Sequence, residues 1–137
     1  MVEAALALPI LVLLLLSTVD VCMIVGIQLA LQNAVAVASR YAATGQTVSG
    51  STREESVLRE LRNAAPSLTI NDADVSFNNL SHVATAGAGG PTDVVTLSVT
   101  HQWSLWSPAL RLAFGTSAAT IRAASTVANE PFPAGGA

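Results

Sequence analysis

Lysine is absent from the 137 residues: all six basic side chains are arginines, set against nine acids for a net charge of −3. The arginines do not cluster, so the basic stripe that displaces counterions from nucleic acid is missing, and no nucleic-acid partner is expected. The single cysteine, Cys22, excludes an intrachain disulfide and sits in an apolar stretch, where it reads as a small buried hydrophobe. The two histidines, His82 and His101, have no Cys or carboxylate at metal-ligand spacing, and His101 shares the parity of Val95, Leu97 and Val99 in a strand-like run. Asn71-Asp72-Ala73-Asp74 lacks the Gly and distal Glu of a known calcium loop and reads as a solvated turn. No Ser stands in a Gly-x-Ser-x-Gly elbow, and the Gly-rich run Thr85–Pro91 lacks the Lys-Ser/Thr ending of a phosphate loop. No catalytic residue, cofactor or metal is expected.

Charge is also scarce, at 11% against about 25% in ordinary soluble domains. The deficit is local. From Ala4 to Ile27 the only ionisable side chains are Asp20 and Cys22, whereas Thr52 to Arg62 has the composition of a soluble protein. The apolar run covers about 24 residues, roughly 36 Å of helix, which is enough to cross a bilayer. A secretory signal peptide needs a basic start, and none is present before Arg40; Glu3 stands there instead. A basic leader that has already been removed would explain both facts and is the expectation here.

The helical pattern continues past the apolar run. Ile27 to Ala43 contains no Gly or Pro, and Ala30, Ala34 and Ala38 recur every four residues, a smooth strip on which a helix or sheet packs closely. One helix of roughly 60 Å, ended by Gly45, is expected. Three residues interrupt its apolar part. Glu3 either sits among headgroups or pairs with a free N-terminal amine, its own or a neighbour's. Pro9 removes a backbone donor, so a kink or local melting is expected. Asp20 marks the outer interface or finds a partner in an assembled bundle.

Val2-Glu3-Ala4-Ala5-Leu6-Ala7-Leu8-Pro9 and the leucine run after it resemble the start of TadE-like pilins of the tight-adherence branch of type IV pili. The resemblance extends through Asp20, Gln28–Ala34 and Ser39–Ala43, and returns at Thr120–Ser125 with Asn129-Glu130. It implies a type IV pilin-like α+β fold and a precursor in the inner membrane. It also implies a prepilin peptidase and pilus assembly machinery as partners, then polymerisation with itself or other pilins into an extracellular filament. In such pilins the acidic residue is fifth in the mature chain; Glu3 is third here. The role carried over to Glu3 is pairing with the mature N-terminus during assembly.

In the remainder, Thr52-Arg53-Glu54-Glu55 reads as a capping box opening a helix that ends before Pro66, with Val57, Leu58 and Leu61 as its buried stripe. Strands are expected at Val75–Asn78, Val94–His101 and Ala119–Ala128, making a small antiparallel sheet beside the Ala-rich half of the long helix. The organisation reads as an apolar helix over residues 1–27, its continuation over 28–44, an α+β head over 45–130 and an extended Pro/Gly tail over 131–137. Trp103 and Trp106 are either packed at a strand end beside Leu105 and Leu110 or free to contact a neighbouring subunit or surface. Asn79-Leu80-Ser81 matches a glycosylation sequon. Two other functions stay open: an anchored extracytoplasmic binding module that never polymerises, and an anchored hydrolase.

Overall fold

The computed structural model of the chain describes residues 2–79 and 87–131, for residues 2–6 the backbone alone. Helix α1 runs from Val2 to Ala43. It stops where Gly45, at φ +67°, takes the left-handed conformation that a Cβ disfavours, and the Gly45 N–H donates to the Ala42 carbonyl. The helix is unbroken at Pro9, which costs it one bond, that to the Ala5 carbonyl. Helix α2, Arg53–Ala64, opens on the expected box: the Thr52 hydroxyl accepts from Glu55 N–H, and the Glu55 carboxylate accepts from Thr52 N–H at 2.9 Å. A single 3-10 turn, Asp72–Asp74, leads into strand β1, Val75–Asn79. Strand β2 covers Val94–Ser104, helix α3 Pro108–Phe114 and strand β3 Ala118–Ala128. The sheet order is β1-β2-β3, with β1 antiparallel to β2 in a register that sets Phe77 opposite Leu97. This is the α+β architecture expected from the sequence.

The chain divides into two units, Met1–Ile27 with Gln102–Ile121 and Gln28–His101 with Arg122–Ala137. The second unit holds a conventional core. Along α1 the buried positions Leu31, Ala34, Val35, Ala38 and Ala42 recur at three- and four-residue steps, so they line one face. Val57, Leu58 and Leu61 form the buried stripe of α2, and alternation puts Val95, Leu97 and Val99 of β2 on the inner side of the sheet. On β3 the Arg122 carbonyl accepts from the Gln28 amide, and Ser125 bonds the Ser39 hydroxyl at 2.9 Å, which fixes that strand along α1.

Polar contacts close the unit. The Arg53 guanidinium donates to the carbonyls of Ala42 and Gly89, tying the end of α1 to the glycine-rich loop. Burial pushes its pKa below the ordinary arginine value, with Asp93 acting in the opposite direction, and it remains charged. Asn129 donates to the Ala88 and Gly90 carbonyls from the other side of that loop. Gly89 is required there: at φ +72°, a Cβ would lie 2.5 Å from the Val95 side chain.

Candidate functional site

The unit of Met1–Ile27 and Gln102–Ile121 has the opposite surface. Leu8, Ile10, Leu11, Val12, Leu13, Leu14 and Leu15 are all exposed. Successive helical residues are about 100° apart, so a run of this length covers every side of the helix. Farther along, Val19, Val21, Met23 and Val25 continue the apolar display, and the Cys22 thiol is exposed among them rather than buried as expected. A helix apolar on all sides belongs in lipid or against other apolar helices, and Ala7–Ala43 is long and apolar enough to cross a membrane.

Within this surface one position is polar and hidden. Asp20 is 0% exposed. Its carboxylate accepts from the Trp103 indole N–H at 3.2 Å, from the Trp106 backbone N–H at 2.9 Å and from the Ser107 backbone N–H at 2.7 Å. One turn earlier on the helix, the Ser17 and Ser107 hydroxyls are 2.7 Å apart. Ser17 also reaches the Leu13 carbonyl at 2.7 Å, and Leu110 N–H points to the Ser107 oxygen. The consistent proton arrangement has Ser17 donating to Leu13, and Ser107 donating to Ser17 while capping α3. Arg111 donates from Nε to the Leu105 carbonyl at 2.6 Å, and Leu105 N–H donates to the Ser117 carbonyl at 3.0 Å. The turn between β2 and β3 is thereby fastened to α1 through buried polar groups.

Outside that knot the turn is apolar. Trp103 and Trp106 stack with ring centroids 5.9 Å apart; Trp103 is half-buried and Trp106 is 61% exposed. Leu112 and Phe114 of α3 are 87% and 64% exposed. Helix α3 follows the tryptophans where the sequence alone predicts either a packed strand end or a free contact surface, and no helix. The signal was present: Ser107 as N-cap, Pro108 at the first helical position, and Gly115 at φ +66° as the stop.

The other singled-out residues separate. Glu3 lies in the first turns of α1, but its side chain falls outside the described residues, as do His82, most of the sequon and the tail from residue 132. Pro9 is exposed. Ala34 and Ala38 are fully buried within the chain's own second unit, and Ala30 is half-buried. Asp72 pairs with Arg62 at 2.5 Å, and Asp74 accepts from Asn71, so these carboxylates serve their own turn. Among the described residues no three His, Cys, Asp or Glu side chains converge on one point.

An apolar N-terminal helix with an acid near its start, a proline in its second turn and a second acid at position 20 is a narrow combination. Residues 1–40 match the family of TadE-like proteins. No curated protein and no solved structure matches the chain. The TadE-like family is a structural-type family of the tight-adherence pilus, and its match here covers 40 of the 137 residues. The matched stretch contains Asp20 and Ser17 but not their partners at 103–107, so the match covers one side of the polar knot only.

Proposed function

We propose that the chain is a pilin-type structural subunit, major or minor, which polymerises through its N-terminal helix into a tight-adherence type IV pilus used for attachment. The carrying observation is the apolar surface of α1, exposed on every side from Leu8 to Leu15 and continued by Val19, Val21, Met23 and Val25 beside the enclosed Asp20, all inside the TadE-like stretch. Before assembly this surface faces the lipid of the inner membrane. In a filament it faces the equivalent helices of neighbouring subunits. Exchange of lipid contacts for helix contacts is nearly neutral in apolar terms, so close fit and polar pairing decide the register. Glu3 supplies such a pairing toward an N-terminal amine, and Pro9 and Ala30 with Leu29 shape the contacting face. Ala34 and Ala38 serve the chain's own packing.

The test is to shear surface filaments from native cells, label them by immunogold and measure the intact mass of the released subunit. Regular label along the fibres, with a mass that fixes the processed N-terminus, supports a major pilin; sparse or tip-only label supports a minor one. Protein left wholly in the membrane fraction refutes polymerisation and leaves an anchored binding module. Glu3→Ala is expected to cut filament incorporation roughly tenfold while the second unit stays folded, as the loss of a charge pair in an apolar setting implies. Normal incorporation counts against the pairing.

A further inference from the structure

We infer that residues 102–121 form a collar seated in the outer leaflet of the membrane, with Trp106, Leu112 and Phe114 entering the boundary between headgroups and acyl chains. The inference rests on the reading that α1 is a membrane anchor before assembly, and extends it to a part of the chain that the TadE-like match does not include.

The collar's level is set by its fastening. Trp103, Trp106 and Ser107 are bonded to Asp20, and Ser107 to Ser17, so this turn lies beside residues 17–20 of α1. A hydrocarbon core of about 30 Å takes about 20 helical residues, so a helix entering at Ala4 leaves near residue 24. Ser17 and Asp20 are then roughly 6–10 Å inside the outer edge of that core. That is a costly depth for a bare carboxylate. The turn removes the cost by enclosing Asp20 completely and presenting apolar side chains in its place. It also holds a tryptophan within about a side chain's length of the interface where tryptophans gather in membrane proteins. Arg111 is the only charged residue between 102 and 121, and its Nε donates to the Leu105 carbonyl within the turn. The exposed faces of Trp106, Leu112 and Phe114 therefore continue the lipid-facing surface of α1. In water the same display would be an unfavourable apolar patch.

The experiment uses the full-length chain reconstituted into phosphatidylcholine vesicles. Trp103→Phe leaves Trp106 as the sole tryptophan; it removes the indole donor to Asp20, while the Trp106 and Ser107 backbone donors keep the turn fastened. In a separate sample an environment-sensitive fluorophore on Cys22, the single cysteine, reports whether α1 is inserted. The expected result is a Cys22 probe in an apolar environment, with Trp106 quenched roughly twofold more by lipid brominated near the acyl carbonyl than by lipid brominated near the chain end. Leu112→Asp, at a side chain that packs against little, is expected to reduce the near-carbonyl quenching without displacing the Cys22 probe. An inserted Cys22 probe with Trp106 quenched by aqueous iodide and not by lipid overturns the collar and leaves the anchor standing. A Cys22 probe in water overturns both. Shielding of Trp106 that appears only at high protein-to-lipid ratio assigns the patch to a second copy of the chain and also overturns the collar.

Discussion

In the unit of Gln28–His101 and Arg122–Ala137, the fully enclosed side chains include Leu31, Val35, Val57, Leu61 and Val99 with Ser56, and Leu29 is the one large hydrophobe exposed among its described residues. In the unit of Met1–Ile27 and Gln102–Ile121, the fully enclosed side chains include Asp20 and Ser107 beside Leu105, while fourteen large hydrophobes, from Leu8 through Phe114, are exposed. One hides nearly all of its large apolar side chains and the other displays most of them. The same helix takes part in both, so the change lies in the solvent each part is built for and not in secondary structure. Where water is outside, burial of apolar area drives folding. Where lipid is outside, that drive is absent between segments, and buried hydrogen bonds hold them together instead.

Leu61→Ala should give the largest effect, because it attacks the unit that depends on apolar burial. Leu61 is 0% exposed, and truncation of such a leucine costs about 2–5 kcal/mol through lost transfer energy and the cavity left behind. Denaturant unfolding of the full chain in detergent, followed by circular dichroism, measures it. A loss below about 1 kcal/mol would mean that α2 is not closely packed there.

Asp20→Ala should come next and act elsewhere. It leaves the backbone donors of Trp106 and Ser107 and the Trp103 indole without their acceptor, and no water is on hand in an apolar setting to replace it. Amide exchange at Trp106 and Ser107 is expected to accelerate roughly tenfold or more, while Val57, Leu61 and Val99 keep their protection. Equal loosening of both sets would break the contrast between the units.

The parts of the fold legible in the sequence are those with local signals. The apolar run, the capping box at Thr52–Glu55, the alternation Val95–Leu97–Val99 and the glycine after Thr44 each fix an element within a few residues of themselves. Even the Ser-Pro start and Gly stop of α3 were local, but they were masked by the tryptophans on one side and a helix of only seven residues. The polar knot was not legible. Asp20 and its donors are more than eighty residues apart, and nothing in a one-dimensional pattern says which of many backbone N–H groups a buried carboxylate will meet. Glu3 and Pro9, by contrast, carried the family resemblance because their meaning depends on position in the apolar run and not on a distant partner.

The smallest effect sharpens the comparison most directly, because it concerns another aspartate. Asp72 pairs with Arg62 at 2.5 Å, a contact shorter than any made by Asp20, yet the two side chains are 76% and 45% exposed. Water solvates both partners when the pair is broken, and ordering two mobile side chains offsets much of the attraction. Asp72→Ala is therefore expected to change the stability of its unit by no more than about 0.5–1 kcal/mol, with the difference shrinking further in high salt. Denaturant midpoints at low and high ionic strength measure it. A larger, salt-insensitive loss would mean that Asp72 does more than pair with Arg62, for example by setting the 3-10 turn that delivers Val75 to the sheet. With the small value, the two aspartates separate by environment alone: a carboxylate enclosed by its own chain organises the structure around it, and one left in water decorates a fold that apolar packing already determines.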